Sequence, residues 1–238
     1  MQEGKEEAMT IPILTIDGPS GAGKGTICQY IALKLDWHYL DSGAVYRSLA
    51  WVASEKGTDL ADESEIVALA ADLKLVCKVR EGDTALIEVN EQVVNEELRT
   101  EETGEIASKI AKIPAVRAEL LAMQQRSAQL PGLVADGRDM GTVVFSEALV
   151  KVFLTASAEV RAQRRYEQLQ SKGFDVSIAR LLEAIQARDA RDSLRSASPL
   201  RPADDAIVID TSELSIDEVN SQVLDLVKHR LALSSEAS

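Results

Sequence analysis

The chain has 238 residues, 45% hydrophobic and 27% charged, with 26 Lys and Arg against 39 Asp and Glu for a net charge of −13. That is the balance of a soluble globular protein of one large domain, and so acidic a chain repels nucleic-acid backbones and anionic membrane surfaces. No apolar run approaches the ~20 residues of a membrane span, the two cysteines (Cys28, Cys77) and two distant histidines (His38, His229) make neither a disulfide framework nor a metal cluster, and the polar opening has no secretory core, so the expected compartment is the cytoplasm.

Residues 1–8 are polar and charged and are expected to be disordered, with Met9 a possible alternative start. Ile11–Ile16 is a strand candidate ending at Asp17-Gly18, and residues 24–35 read as a helix. Tyr39-Leu40 ends at Asp41-Ser42-Gly43, and a second helical stretch runs to about Glu55. Leu73, Leu75, Cys77 and Val79 then alternate with mostly polar neighbours. With turns at Glu81-Gly82-Asp83 and Asn90-Glu91, the stretch 73–95 predicts a small antiparallel meander. Helical patterns follow at roughly 101–111 and 115–129, with Pro114 between them. Leu133–Ala135 ends at Asp136-Gly137, Lys151–Thr155 is followed by a helix N-cap at Ser157, and Ala206–Ile209 ends at Asp210. Ser215-x-x-Glu218 is a capping box opening the last helix, and Ser234–Ser238 looks frayed.

Strand–turn–helix repeated in this way predicts an α/β fold with a parallel sheet flanked by helices, carrying the meander as an insert. Such sheets place ligands beyond the carboxyl ends of their strands.

The strongest motif is Gly18-Pro19-Ser20-Gly21-Ala22-Gly23-Lys24-Gly25-Thr26, between a predicted strand and a predicted helix. Glycines let successive N–H groups curl around an anion, the helix N-terminus adds positive potential, and Lys24 brings a charge to the outer phosphates. Gly25 stands where a hydroxyl usually follows the lysine, and the hydroxyl comes one residue later at Thr26. This puts in doubt a direct Mg²⁺ bond from the position after the lysine.

Three further clusters accompany the loop: Asp41-Ser42-Gly43-Ala44-Val45-Tyr46-Arg47, Ala135-Asp136-Gly137-Arg138-Asp139-Met140-Gly141-Thr142, and Arg188-Asp189-Ala190-Arg191-Asp192-Ser193-Leu194-Arg195. With the loop and the insert, they resemble bacterial-type cytidylate kinases of the P-loop nucleoside monophosphate kinase superfamily, from about Ile11 to about Leu233. The resemblance implies a P-loop kinase fold with a five-stranded parallel sheet and a short helical lid. The core would be 9–41, 131–157 and 196–233, the nucleoside-monophosphate region 42–130, and the lid with its flanking helices 158–195. It implies transfer of the ATP γ-phosphoryl to CMP and to dCMP, with Mg²⁺ held through water and the ATP phosphates, in a monomer.

The resemblance also assigns residues. Ser42, Arg47, Arg138, Arg188 and Asp192 would hold the monophosphate and its sugar, with Arg195 beside them. Ser108, Arg117 and Asp139 would contact cytosine. Lys24, Arg188, Arg191 and Asp136 would serve catalysis, and residues 18–26 with Arg164 would bind ATP.

Charge supports this independently. Between Arg161 and Arg201 nine cations face five acids, so the rest of the chain carries −17. Cations are concentrated, as polyphosphate ligands require. Arg188, Arg191, Asp192 and Arg195 are spaced to share one helix face. Several residues keep a second reading. Asp136 either orients Mg²⁺ or caps a turn, and Gly173 is either a lid hinge or a helix C-cap. Ser108 is a cytosine contact or a plain helix-surface serine, and Asp139 a cytosine contact or a partner of Arg138. A different acceptor is the competing function. A hydroxyl acceptor would want a base, for which Asp41 and Asp139 are the candidates, whereas a GTPase-type switch would need an Asn-Lys-x-Asp run that the sequence lacks.

Overall fold

The computed structural model describes residues 10–82, 84–171, 173–194 and 198–236. The expected disorder over residues 1–8, Met9 and the site candidate Arg195 lie outside them.

The order is β1 (Ile13–Asp17), α1 (Lys24–Leu35), β2 (His38–Asp41), α2 (Ser42–Glu55), α3 (Glu63–Ala71), β3 (Leu75–Lys78), β4 (Leu86–Val89), β5 (Gln92–Val93), α4 (Glu101–Ile110), α5 (Pro114–Arg126), β6 (Leu133–Gly137), β7 (Val150–Thr155), α6 (Ala158–Gln170), α7 (Ile178–Ser193), β8 (Ile207–Asp210) and α8 (Ile216–Glu236). The main sheet runs β2-β6-β1-β7-β8, and all its pairings are parallel.

Alternation along the strands divides the core in two. Leu133 and Ala135 of β6 face one layer with Leu40, Leu49, Ile66 and Leu120, supplied by α2, α3 and α5. Val134 faces the other, with Leu14, Ile16, Ile31 and Val223, backed by α1 and α8. Aliphatic residues covered on both faces are what a parallel sheet needs.

The helices start where short polar side chains can cap them. Asp41 accepts from the Ala44 N–H, Asp62 from Glu65, Thr100 from Thr103 and Ser157 from Val160. The capping box at α8 closes in both directions, the Glu218 carboxylate accepting from the Ser215 N–H at 2.8 Å and the Ser215 hydroxyl from the Glu218 N–H at 3.3 Å.

The meander forms as an antiparallel β3-β4-β5 sheet. Asn90 and Glu91 both adopt positive φ, at 48° and 69°, the backbone of a tight two-residue hairpin. Ala85 N–H donates to Gln29 Oε1 at 2.9 Å, tying the insert to α1.

Three details depart from the sequence reading. Helix α3 had no prediction, because its run of Ala and Glu carries weak periodicity. Pro114 does not merely separate two helices but is the first residue of α5, where its missing N–H costs nothing. The expected fraying from Ser234 onward is replaced by helix as far as Glu236, with the Ser234 and Ser235 hydroxyls donating to the carbonyls of Leu231 and Ala232.

Candidate active site

The carboxyl ends of the strands converge on one edge of the sheet. In register, Asp41 stands beside Asp136, Asp136 beside Ile16, and Gly137 beside Asp17. Three acids therefore meet at one level around the loop that leaves β1.

That loop is shaped by its glycines. Gly18 takes φ 147°, and a β-carbon there would fall 2.0 Å from the Leu154 carbonyl oxygen of β7. Gly23 caps α1 in the left-handed region at φ 90° and makes no side-chain cap bond to the first turn. The helix thus presents its positive end to the loop.

Lys24 is 6% exposed, and its Nζ donates to the Pro19 carbonyl at 2.9 Å. Burial lowers it from 10.5 to about 8, helped by the nearby Arg138 charge and opposed by Asp136. Burial likewise raises Asp136 from 3.8 to about 6, against the pull of Lys24. Ion and counter-ion share a site too dry to favour either alone. Thr26 is exposed on the first turn of α1.

Asp17 is the acid that sequence reading noted only as a strand end. Its two oxygens accept from the N–H groups of Met140 and Gly141 at 2.9 and 2.8 Å. Burial raises it to about 6, although those two bonds favour the charged form. It fixes the π-helical turn Met140–Val144, which no periodicity announces.

A second set of cations lies beside the loop. Arg47 Nη2 donates to Asp41 at 3.3 Å, across Gly43, where a β-carbon would come within 3.0 Å of Arg47 Nη1. Arg138 Nε donates to the Asp192 carboxylate at 3.1 Å, and Arg188 Nε reaches the same oxygen at 4.0 Å. Arg188 and Arg191 are exposed on α7, whereas Asp192 is buried. The face sharing expected of Arg188, Arg191 and Asp192 holds, but α7 ends at Ser193, two positions before Arg195.

Asp139 does not pair with Arg138. Arg117 Nη2 donates to Asp139 at 2.7 Å and to the Ser198 hydroxyl at 2.8 Å. These residues line a pocket of about 120 Å³ with Tyr46, Gln124 and Val144. Its volume is about four times one water's share of the liquid, ~30 Å³. Gln124 and Ser198 were not foreseen, since nothing local marks them. Ser42 is buried at the start of α2, and Ser108 is half-buried on α4, outside the pocket lining.

Arg164 lies in the middle of α6, and its guanidinium donates to the Thr211 hydroxyl and carbonyl beyond β8. Gly173 has the geometry of a helix C-cap. It takes φ 83°, its N–H donates to the Gln170 carbonyl and that of Phe174 to Leu169, as in a helix-terminating glycine motif. Arg161 and Asp189, absent from the sequence reading as a pair, form a bidentate bridge between α6 and α7.

A glycine turn at the central strand of a parallel sheet, a buried lysine at its end and guanidinium groups around it define a P-loop phosphotransferase. The family model for cytidylate kinase matches residues 14–229. A cytidylate kinase of Methylococcus capsulatus is 56% identical over 219 residues, covering 92% of this chain and 98% of its own length. One of Photobacterium profundum is 53% identical over 224 residues, covering 94% and 98%. An uncharacterized protein from Eubacterium ventriosum shares the fold at a TM-score of 0.52 and 12% identity, over 92% of this chain and 99% of that one. The chain belongs to the cytidylate kinase family and is an enzyme that phosphorylates CMP.

Proposed function

We propose that residues 18–26 and Arg164 hold ATP, and that the opposite cleft holds CMP or dCMP with its phosphate facing the loop. Ser42, Arg47, Arg138, Arg188 and Asp192 take the monophosphate and sugar, joined by Arg195. Arg117, Asp139 and Ser108 read the base. Cytosine offers an amino group that Asp139 accepts and two acceptors that Arg117 and Ser108 serve. Uracil carries a carbonyl where that amino group sits, so it would meet the Asp139 carboxylate with no proton between them. The observation that carries this reading is the Arg117–Asp139 pair on the wall of the small pocket. Both Arg117 bonds use Nη2, one of the three nitrogens of the guanidinium.

The attacking atom is an oxygen of the CMP phosphate. With a second pKa near ~6 that group is already dianionic at neutral pH, so no side chain need remove a proton. The protein's part is alignment and neutralisation of charge. Lys24 holds the outer phosphates, while Arg188 and Arg191 meet the transferring group from α7. The α6–α7 hairpin acts as a lid that keeps water from taking the phosphoryl group.

Mg²⁺ fits the donor set, which is all oxygen: the Thr26 hydroxyl, the Asp136 carboxylate and the phosphates themselves. Thr26 and Asp136 would hold it, in large part through water. When bound, it would neutralise triphosphate charge. Among the described residues no cluster of three or more His, Cys, Asp or Glu is set to hold a metal, and the reading leaves most ligands to ATP. The enzyme is read as a cytoplasmic monomer.

An acceptor panel tests the reading. ADP release with CMP and dCMP should far exceed that with UMP, AMP, dTMP or shikimate. UMP or AMP turning over as well as CMP would refute the cytosine assignment.

A further inference from the structure

We propose that Arg161 and Asp189 form a positioning joint that fixes α7 to the phosphate loop, and so sets where Arg188 and Arg191 stand over the transferring group. The proposal rests on the roles given above to those two arginines. Arg161 is 4% exposed, and one planar group reaches three segments of chain. Its Nε donates to the Ala156 carbonyl at 2.9 Å, where β7 leads into α6. Its Nη1 donates to the Ser20 carbonyl inside the phosphate loop at 3.1 Å. Nη1 and Nη2 donate to the two Asp189 oxygens at 3.0 and 2.5 Å. Its stem also lies under Gly21, where a β-carbon would come within 3.2 Å of the Arg161 β-carbon.

Asp189 stands one residue after Arg188 and two before Arg191. A shift of the joint therefore moves both guanidinium groups relative to the loop. A further link from α7, Asp192 to Arg138, uses residues that engage CMP in the proposed reading and must rearrange with it. Arg161 and Asp189 have no substrate role in that reading, so their link persists through turnover. A lysine would not replace Arg161, because a single ammonium cannot serve a bidentate carboxylate and two carbonyls in one plane.

The experiment combines steady-state kinetics with amide hydrogen exchange on full-length Asp189→Asn and Arg161→Lys, with Asp189→Glu as the conservative partner. Asp189→Asn keeps the shape of the side chain. It should lower kcat about tenfold or more while KM for CMP stays within about twofold, measured where the variant is fully folded. Amides of Gly18, of residues 20–24 and of α7 should exchange about tenfold faster, with β6 unchanged. Asp189→Glu should recover most of the lost kcat. Combined with Arg188→Ala and Arg191→Ala together, Asp189→Asn should add less than about twofold. A normal kcat, loop exchange that stays unchanged while α7 loosens, or a KM for CMP rising in step with the loss of kcat would overturn the joint. Arg161→Lys gives the same exchange readout should Asp189→Asn not fold. If Arg188→Ala and Arg191→Ala each left kcat unchanged, the roles of those arginines would fall, while exchange in the loop and α7 would still decide the joint.

Discussion

The phosphate loop is built from nine consecutive residues, whereas the small pocket proposed for the base draws Tyr46, Arg117, Asp139 and Ser198 from four separated segments. The loop owes its shape to local rules: three glycines at positive φ, a helix start and a lysine that folds back on its own turn. The pocket owes its shape to tertiary packing, because Arg117 on α5 meets Asp139 after β6 only once the sheet has formed. The two halves also differ in how they are held. Lys24 is 6% exposed and donates to the Pro19 carbonyl of its own turn, whereas Arg117 and Asp139, with side chains 16% and 13% exposed, hold each other across the fold. Both sites are dry, but one is set locally and the other by packing, so they should fail differently.

The largest effect belongs to the loop. Lys24→Ala should lower kcat by about 10³-fold, with the unfolding midpoint moving by no more than about 4 °C. Single-turnover kinetics and a melting scan check both; a normal kcat would contradict the loop's role. Next comes the pocket. Asp139→Asn should raise KM for CMP by about 10²-fold while KM for ATP stays within about twofold. Equal loss on both substrates would make Asp139 a structural partner of Arg117 and nothing more.

The third prediction concerns pH and the buried acids. Asp17 and Asp136 are each raised from 3.8 to about 6 in the folded protein. A carboxyl raised by folding keeps its proton where the unfolded chain has lost it. Its contribution to stability is therefore full below about 3.8 and is lost as pH rises through about 6. Asp136→Asn carries no such proton, so it should gain on the parent by about 2–3 kcal/mol between pH 4 and pH 7. Urea titrations at both pH values measure this, and a pH-independent difference would show that Asp136 is not raised. The smallest effect is at Arg164, proposed above to hold ATP. Arg164→Ala should raise KM for ATP about tenfold and leave KM for CMP unchanged, as initial-rate titrations of each substrate would report.

The same contrast explains what could be read from sequence. The five strands of the sheet, the insert and the helix starts follow from alternation and caps, and Asp41, Ser157 and Ser215 cap as their side chains demand. The phosphate loop was legible because its motif is contiguous. The roles of Arg117 and Asp139 came from family resemblance, since their separation of 22 residues carries no local signal. Gln124, Ser198 and the Arg161–Asp189 bridge were not legible at all. Each depends on where a distant helix comes to rest. Helix α3 was missed for a milder reason, as a short run of Ala with acids suits an exposed loop almost as well.

Asp17 gives these observations one last consequence. It ends the strand from which the phosphate loop departs, yet it grips the backbone of Met140 and Gly141, just past Arg138 and Asp139. One buried carboxylate thus pins the root of the phosphate loop to the turn after Arg138 and Asp139. On the proposed reading, remodelling residues 138–144 to welcome another base would tug at that root, and a change in acceptor taste would come with a toll on the grip for ATP.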